Sequence, residues 1–389
     1  MRFIGRDISP TAGYYMLKRH PYASLIHGVQ KVRQVAGIDY RFSGNGRSFY
    51  PSIVTFEITH RCNLRCRTCW LWGTAGKYSG GGEAKQVKEM SLEEVRRFID
   101  SVSSFKPYFL ITGGEPFLHP HVTEVVEHAS SKGLFVGLIT NGMLGAEEEI
   151  ERMVSAGLSF LTISIDSPDK DTHNFIRNNT NSFDNCLSTL GIVKKSKGDK
   201  PFPIVTVNLT ISNYNYDKLG RMLELADGAG VDVLQFTHQW FSDRDTSLDY
   251  SVWAEENLGL KSSHMGDFEA HTASEVDGAM VFEQLERIRK QSGEYHTYVR
   301  VSPDLTREDT LTYYCGMEPI YNKYCITPWT GALVKPNGDV VPCIDYVVGN
   351  VTRTPFKQIW NSERMRLFRR IVKEQKYFPG CTRCCGFFG

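Results

Sequence analysis

Short runs of β-branched and aromatic residues alternate with segments of helical periodicity along most of the chain. The predicted strands are Ile53–Ile58, Tyr108–Thr112, Phe135–Thr140, Phe160–Ile165, Ile204–Thr210 and Val233–Thr237. The predicted helices are Leu92–Ser103, Val122–Ser131, Ala146–Ser155, Ser182–Lys195 and Lys218–Gly228. Strands that alternate with helices in this way form a parallel sheet. Because eight units close a complete barrel, six predict an α/β fold, a partial (β/α)6 TIM-like barrel with one open side.

The segments on either side of this pattern divide the 389 residues into four regions. They are 1–50, a basic helical segment; 51–238, the partial barrel; 239–310, a connecting region; and 311–389, a hairpin-rich extension. The connecting region breaks the strand–helix rhythm except for one helical stretch, Ala279–Gln291, and is predicted to cap the substrate. In the extension, Asn337-Gly338 is a strong hairpin signal between the short strands Ala332–Val334 and Asp339–Val341.

Composition narrows the possible classes of protein. Hydrophobic residues are 41% and charged residues 23%, which excludes a mainly disordered chain. The net charge of +1 gives no argument for a nucleic-acid partner. No apolar run approaches the roughly 18 residues of a membrane span, and the start lacks the apolar core of a secretory signal, so we expect a cytoplasmic protein. Ten cysteines in such a protein are more typical of metal binding or redox chemistry than of disulfides.

Three of the cysteines follow the first predicted strand with the spacing C-x3-C-x2-C. They are Cys62, Cys66 and Cys69. Three thiolates on one loop can hold three irons of a four-iron cluster and leave the fourth iron for another ligand. Zinc is the rival, but a structural zinc site needs four protein ligands, and only His60 stands close by. We therefore interpret the loop as an iron–sulfur site rather than a zinc site or three unliganded thiols, and the isolated Cys186 as a core thiol.

Polar residues and glycines follow the other predicted strands. Gly113-Gly114-Glu115 comes after the second strand and Asn141 after the third. Ser164 and Asp166 end the fourth strand, and Asn208 lies on the fifth. Each of these alone is more typical of an ordinary turn or strand end. Because active sites in such barrels lie at the carboxyl ends of the strands, we expect these residues and the cysteine loop to form one ligand pocket.

Over residues 52–238 the sequence resembles the radical S-adenosylmethionine (SAM) superfamily. The shared features are the C-x3-C-x2-C loop, Gly-Gly-Glu-Pro at 113–116 and Ser-Ile-Asp at 164–166, in the expected order. The resemblance implies that the three cysteines bind a [4Fe–4S] cluster whose remaining iron is chelated by SAM. It also implies that an electron, supplied by a partner such as flavodoxin or ferredoxin, cleaves SAM to a 5′-deoxyadenosyl radical. That radical abstracts hydrogen from an unactivated carbon of the substrate.

The resemblance also assigns roles to individual residues. The positions that it implies in SAM binding are Gly113, Gly114, Glu115, Asn141, Ser164, Asp166, Arg177 and Asn208. Among them, the Gly-Gly-Glu-Pro stretch would contact the methionyl amine and Arg177 would pair with the SAM carboxylate. One departure is Thr68, where the family usually has an aromatic residue near adenine; Trp70 and Trp72 are the substitutes expected here. No general acid or base can be assigned from the sequence.

The extension carries a second set of cysteines. They are Cys325, Cys343, Cys381 and Cys384, and the predicted hairpin folds Cys343 back towards Cys325. By spacing alone, zinc competes with iron–sulfur for these ligands. The pattern C-x12-G-x4-C resembles the opening of a SPASM or Twitch extension, which implies one auxiliary [4Fe–4S] cluster in the Twitch arrangement, bound by these four. That cluster would assist electron transfer, ligate the substrate or stabilise the fold of an extension that has only a small hydrophobic core. Cys315 and Cys385 are unassigned and are interpreted as plain thiols.

The N-terminal segment suggests a membrane contact. Residues 1–50 contain eight Lys and Arg against two Asp, 8 − 2 = +6, and Leu25, Val29 and Val32 keep helical spacing. A basic amphipathic helix can lie on anionic lipid, and the alternative is that it packs on the barrel. We therefore expect a small-molecule or lipid substrate, with possible peripheral membrane contact. The alternatives are a peptide- or protein-modifying enzyme and a non-catalytic iron–sulfur or zinc scaffold.

Overall fold

The structure is a computed structural model of the chain. It describes residues 21–74, 76–78, 88–261, 265–268, 275–318, 320, 325–343 and 346–384. Residues 1–20 and Cys385 therefore lie outside the described residues. Within the described part of the chain, no helix combines the length and apolar character needed to cross a bilayer.

One sheet of ten strands runs through the described chain. In chain order the strands β1 to β10 are Ile53–Thr59, Tyr108–Gly113, Phe135–Thr140, Phe160–Ser164, Ile204–Ile211, Val233–His238, Tyr298–Ser302, Gly331–Val334, Asp339–Val341 and Gly349–Asn350. Their order across the sheet is β10-β9-β8-β1-β2-β3-β4-β5-β6-β7. Strands β1 to β7 are parallel to one another, and β1 to β6 are the six strands that the alternating pattern predicted. The predicted α/β partial barrel with a C-terminal hairpin is confirmed.

The helices cover one face of the sheet. In chain order the helices α1 to α14 are Pro21–Val35, Ile38–Phe42, Leu92–Ser103, Val122–Ser131, Glu147–Ala156, Lys170–Arg177, Ser182–Lys197, Met222–Gly228, Arg244–Leu258, Gly278–Gln291, Arg307–Cys315, Thr327–Thr330, Phe356–Trp360 and Glu363–Gln375. Helix α3 begins with the capping box that Ser91 and Glu94 form, since each side chain bonds the other's backbone amide. The five predicted helices are all present within a few residues of their expected bounds.

The two faces of the sheet differ in chemistry. Alternate residues of each strand pack against the helices in the main hydrophobic core, as Val207 and Leu209 of β5 do. The intervening residues point to the other side, which we call the inner face. At the amino ends of the strands the inner face is closed by a smaller apolar cluster that includes Tyr108, Phe135 and Ile204. Towards the carboxyl ends, inner-face positions become polar and half-buried, so that a ligand can bind there.

The connecting region 239–310 contributes to the sheet, which the sequence did not predict. Residues near its end form β7, which pairs with β6 in parallel register. In this register Tyr298 lies opposite Val233, and Arg300 lies opposite Gln235. Helix α9 at Arg244–Leu258 was not predicted either. Strand β7 is only five residues long, so its apolar alternation was too short to recognise.

The C-terminal extension continues the same sheet. The predicted hairpin is confirmed: β8 and β9 are antiparallel, with Leu333↔Val341 and Val334↔Val340 as partners. Gly338 has a φ of +88°, which supplies the left-handed conformation that the turn requires. Strand β8 also pairs in parallel with β1, the strand that leads into the first cysteine loop. The two cysteine-bearing parts of the chain are therefore joined by backbone hydrogen bonds.

Candidate metal centre

The first cysteine loop begins where β1 ends, at the carboxyl edge of the sheet. Short backbone bonds shape it: the amide of Cys69 donates to the Cys66 carbonyl over 3.2 Å, and Gly73 donates to the Cys69 carbonyl over 2.7 Å. The amide of Arg67 donates to Ile176 of α6 over 2.8 Å, which fixes the loop against the barrel. The loop is thus held in place by the backbone while its thiols remain available as ligands.

The three thiols of this loop influence one another and fit a metal cluster. Burial raises the pKa of the Cys62 thiol to about 12, although the Leu64 amide lowers it, and nearby Cys66 and Cys69 add to the rise. Burial also raises the pKa of Cys66 to about 11. In the described chain, no three His, Cys, Asp or Glu side chains converge as ligands of a single ion would. Three thiolates on one loop can each bind a different iron, so this donor set fits a [4Fe–4S] cluster with three protein ligands.

A buried ion pair lies directly beside this loop. The Nε of Arg177 lies 2.7 Å from Oδ2 of Asp166, and both side chains are largely buried. The Nη1 of Arg177 also lies 3.8 Å from Sγ of Cys66. Sequence reasoning placed Arg177 and Asp166 in the same pocket but did not foresee that they pair with each other. The pair brings a guanidinium charge next to a thiol that must lose its proton to bind metal.

Glu115 is buried and organises the next strand end. Its Oε1 accepts from the Thr140 hydroxyl and its Oε2 from the Asn141 amide, each over 2.8 Å. Burial raises the pKa of Glu115 to about 7, although these hydrogen bonds lower it. Asn141 in turn donates to Asn63 over 2.8 Å and lies 3.8 Å from Sγ of Cys62. Glu115 therefore positions a residue that touches the cysteine loop.

Gly113 and Gly114 allow the end of β2 to approach the cysteine loop closely. A Cβ at Gly113 would lie 2.1 Å from the Thr59 carbonyl oxygen, and one at Gly114 would lie 2.2 Å from that of Arg61. Gly113 also has a φ of +135°. The sequence predicted that these glycines admit a ligand, and the structure shows that they admit the backbone of the loop itself.

Ser164 and Asn208 lie in one row of the inner face. The strand register pairs Ser164 with Asn208, Asn208 with Gln235 and Gln235 with Arg300. The Thr237 hydroxyl connects part of this row, donating to Asn208 over 2.7 Å and accepting from Gln235 over 2.9 Å. All these side chains are half-buried. The row extends the predicted pocket across two further strands, β6 and β7, and ends at the guanidinium of Arg300, which the sequence analysis did not identify.

His60, the candidate zinc ligand, is engaged elsewhere. Its two ring nitrogens lie 2.6 Å from the Tyr78 hydroxyl and 2.9 Å from Glu57 Oε2. Trp72, expected near adenine, is buried, and its Nε1 donates to the His60 carbonyl over 2.9 Å. Both side chains therefore support the base of the loop.

Three cysteines of the extension come together as predicted. Burial raises the pKa of Cys381 well above its usual value, and the next largest causes are the neighbouring Cys325 and Cys343. Cys384 lies one turn further on, with its amide donating to the Cys381 carbonyl over 3.2 Å. Cys315 lies at the end of α11 with an exposed side chain, while Cys186 is fully buried, as expected of a core thiol.

Arg383 secures the segment that carries Cys381 and Cys384. Its guanidinium is fully buried and donates to the carbonyls of Tyr313 over 2.7 Å and Thr312 over 3.0 Å, and also to that of Gly316. The Tyr313 hydroxyl donates in return to the Arg383 carbonyl over 3.2 Å. These contacts hold the last cysteine pair against α11. Sequence reasoning missed Arg383 because nothing local distinguishes a buried arginine from an exposed one.

Family profiles match both cysteine-bearing parts of the chain. The radical SAM superfamily profile matches residues 56–226, and the profile of the SPASM iron–sulfur cluster-binding domain matches residues 325–385. The matched ranges contain all seven cysteines that were predicted as ligands.

Similar proteins and structures agree with these matches. The AdoMet-dependent heme synthase of Methanosarcina barkeri is 27% identical over 86% of this chain and 88% of its own. The subtilosin biosynthesis protein AlbA of Bacillus subtilis is 23% identical over 88% of this chain and 69% of its own. The crystal structure of Streptococcus suis SuiB bound to S-adenosylmethionine has the same fold, with a TM-score of 0.61, 11% identity and coverage of 88% of this chain and 73% of its own. The chain is a radical SAM superfamily enzyme with a C-terminal SPASM iron–sulfur domain, not a non-catalytic scaffold.

Proposed function

We propose that this enzyme generates a 5′-deoxyadenosyl radical from SAM and abstracts hydrogen from an unactivated carbon of a small, acidic molecule or lipid. The observation that carries the proposal is the contact between Cys66 and Arg177. Arg177 pairs with Asp166, which lies two residues beyond Ser164, the member of the polar inner-face row on β4. When bound, a [4Fe–4S] cluster supplies the low-potential electron that cleaves the sulfonium. A flavodoxin or ferredoxin is the expected source of that electron.

The residues around the loop would hold SAM and the cluster in place. Cys62, Cys66 and Cys69 are the proposed cluster ligands, and Asn141 lies close enough to Cys62 to orient its sulfur. Arg177 is fixed by Asp166, which leaves its remaining nitrogens to face Cys66 and a SAM carboxylate. Glu115 fixes Asn141 and is proposed to act on the methionyl amine together with the backbone of Gly113 and Gly114.

The inner face offers hydroxyl and amide groups for the rest of the ligands. Ser164 and Asn208 stand in the row where a ribose would bind. These polar side chains would hold the reacting carbon close to the radical. The apolar cluster at the amino ends of the strands would keep water from entering the pocket from that end of the barrel.

Arg300 supports the acidic character of the substrate. Its neighbours Val299 and Val301 pack on the main core, so Arg300 faces the inner side of β7. Burial raises the pKa of Tyr108, a residue of the inner apolar cluster, and the charge of Arg300 opposes this rise, so the guanidinium influences the inner side of the barrel. A guanidinium at this position favours a carboxylate or phosphate group on the substrate.

Two relatives point to different substrate sizes. The chain matches 88% of the heme synthase, which by its name makes heme, and 69% of AlbA, which by its name acts in the biosynthesis of the bacteriocin subtilosin. The fuller match favours the small molecule. Peptide or protein modification is the second candidate, because both kinds of relative share this chain's architecture.

The experiment is SAM cleavage by the anaerobically reconstituted full chain. We expect 5′-deoxyadenosine to form slowly without substrate and faster with an iron porphyrin that carries propionate groups. Arg300→Gln should lose the stimulation while keeping the slow basal cleavage, and Arg353→Gln, which removes an exposed charge elsewhere, should retain it. Stimulation by a precursor peptide instead would favour the second candidate. Absence of any SAM cleavage would contradict the proposed chemistry.

The extension is proposed to hold one auxiliary [4Fe–4S] cluster. Cys325, Cys343 and Cys381 are already grouped, and Cys384 lies one turn from Cys381. Iron and sulfide analysis should find about eight irons in each chain, since each cubane contains four. Four irons with one zinc would instead support a zinc site in the extension.

A further inference from the structure

Helix α1 crosses the amino end of the barrel, away from the cysteine loop. The Gln30 side chain donates to the carbonyls of Pro51 and Phe105, which precede β1 and β2, each over 3.5 Å. The buried His27 ring lies 5.3 Å from Phe135, the first residue of β3. One side of the helix is therefore fixed against the barrel, as the packing alternative predicted.

The opposite side of α1 is apolar and exposed. Leu25, Val29 and Val32 occupy positions i, i+4 and i+7, with exposures of 64%, 53% and 67%. Phe42 is 81% exposed and Phe49 is 62% exposed. We call these five residues the apolar stripe. Single exposed apolar side chains are common, whereas a group of this size marks an interaction surface.

Arg33 connects α1 to the segment that carries Phe42 and Phe49. Its guanidinium lies 3.8 Å from the centre of the Phe49 ring and 2.7 Å from Asp39 in α2. Helix α2 ends at Phe42. The 39–49 segment is therefore held beside α1, next to the residue that follows Val32.

Cations border the stripe. Arg41 and Arg47 are exposed on the 39–49 segment. From α14, Arg370 donates to the Asn45 carbonyl over 3.4 Å and Lys373 to the Arg41 carbonyl over 3.2 Å. We call these four residues the basic rim.

The neighbouring acids do not cancel the basic rim. Asp39 pairs with Arg33, and Glu363 at the start of α14 is shared between Arg366 and Arg370. Glu374 is exposed beside Lys373, so the four cations of the rim still outnumber the acids that lie next to them. The surface therefore combines exposed apolar groups with a net positive charge.

We propose that the apolar stripe and its basic rim dock on an anionic phospholipid surface. Apolar side chains that enter the interface and cations that meet lipid phosphates are the two requirements of peripheral binding. A second copy of the chain is the less suitable occupant, because a two-fold contact would bring two basic rims together. The surface lies at the end of the barrel opposite Cys62, so docking leaves the carboxyl edge of the sheet open. The proposal is therefore independent of the proposed reaction.

Vesicle flotation of the full chain tests this surface. The probes are phosphatidylcholine vesicles with and without about 30% phosphatidylglycerol. We expect flotation only with the anionic vesicles, weakened by salt. Substituting Leu25, Val29 and Val32 together by Ser should weaken binding at least about tenfold, since the apolar contribution is lost. Basal SAM cleavage should stay unchanged.

Matched variants distinguish binding through this surface from non-specific binding of the protein to vesicles. Leu248→Ser with Val252→Ser removes two aliphatic side chains of similar exposure, 57% and 58%, from α9, and should leave flotation unchanged. Arg41→Gln with Arg47→Gln should reduce flotation and its salt dependence. Arg287→Gln with Lys290→Gln removes two exposed charges from α10 and should leave both flotation and its salt dependence unchanged.

Three results would overturn the proposal. The first is an absence of flotation by the unaltered chain, and the second is flotation that the triple Ser variant retains in full. The third is a dimer in sedimentation analysis that the triple Ser variant abolishes, because a second copy would then occupy the stripe.

Discussion

The two cysteine sites are built in opposite ways. Cys62, Cys66 and Cys69 lie within eight consecutive residues, on a loop that β1 delivers to the edge of a parallel sheet. The cysteines of the extension come from distant segments, and the β8–β9 hairpin and the Arg383 contacts help to bring them together. The cysteines of the first site are already close in sequence, and the barrel supplies the residues around them. The cysteines of the second site come together only when the extension has folded.

The residues around the two cysteine sites also differ: those around the first can bind a ligand, and those around the second stabilise the fold of the extension. The first loop is surrounded by groups that can act on a ligand, namely Arg177, Asn141 and Glu115. Around Cys381 and Cys384 the contacts are carbonyls bound by one arginine and the aromatic residues of α11. We therefore expect damage to the first site to abolish catalysis with little loss of fold, and damage to the second to loosen the extension.

The largest expected effect is that of Cys66→Ala. Removing one of three thiolates should lower SAM cleavage by at least about a thousandfold, because the electron donor is lost. The auxiliary irons should remain, and iron analysis with detection of 5′-deoxyadenosine measures both. Cys186→Ala removes a fully buried thiol of the core and should retain cleavage. Wild-type cleavage by Cys66→Ala would place the reaction elsewhere.

Arg383→Met should selectively destabilise the extension. It leaves several buried carbonyls without donors, and each buried acceptor left unsatisfied costs about 1–3 kcal/mol. Limited proteolysis should then cut residues 311–384 while the barrel resists, and the auxiliary irons should be lost. Arg353→Met, at an exposed position of the same extension, is the control. Unchanged proteolysis of Arg383→Met would show that the extension does not depend on this contact.

Acid should weaken the contact between barrel and extension. His238 ends β6 and bonds the Tyr314 hydroxyl over 2.6 Å, and burial lowers its pKa from 6.5 to about 3. The unfolded chain takes up a proton below pH 6.5 that the folded chain refuses, so stability falls as pH drops through this range. From pH 7 to pH 5 the loss should be about 2 kcal/mol for this residue. Denaturant midpoints measure it, and His238→Gln should show a smaller pH dependence.

Arg177→Lys should have the smallest effect. Lysine keeps the charge beside Asp166 but cannot bond Asp166, Cys66 and SAM at once. We expect SAM affinity to fall by about tenfold, which is about 1.4 kcal/mol. Equilibrium binding with reconstituted protein measures it, and Arg67→Lys, in the loop but further from the pair, is the comparison. Equal affinity in all three proteins would remove Arg177 from SAM binding.

The sequence predicted those parts of the molecule that are encoded locally. Strand periodicity placed β1 to β6, and the cysteine spacing identified the first loop because all its ligands are close in sequence. The Asn337-Gly338 turn likewise predicted the hairpin. Local patterns carry this information because the period of the side chains and the turn geometry are properties of short segments.

Features that depend on distant contacts were not predictable. Pairing of Asp166 with Arg177, burial of Arg383 and the position of Arg300 in the inner-face row all depend on how separate segments pack. The close approach of Gly113 and Gly114 to the cysteine loop was not predictable either, because a sequence does not show which part of the backbone lies beside a glycine. These contacts surround the two cysteine sites and make them different.

The central claim is that the first cysteine loop holds a cluster with one iron open to SAM. Electron paramagnetic resonance of the reduced Cys381→Ala, Cys384→Ala double variant tests it most directly, since the auxiliary signal is removed. The account predicts one cluster signal that changes when SAM is added and that Cys66→Ala abolishes. A signal that ignores SAM, or no signal from a protein that retains iron, would contradict it.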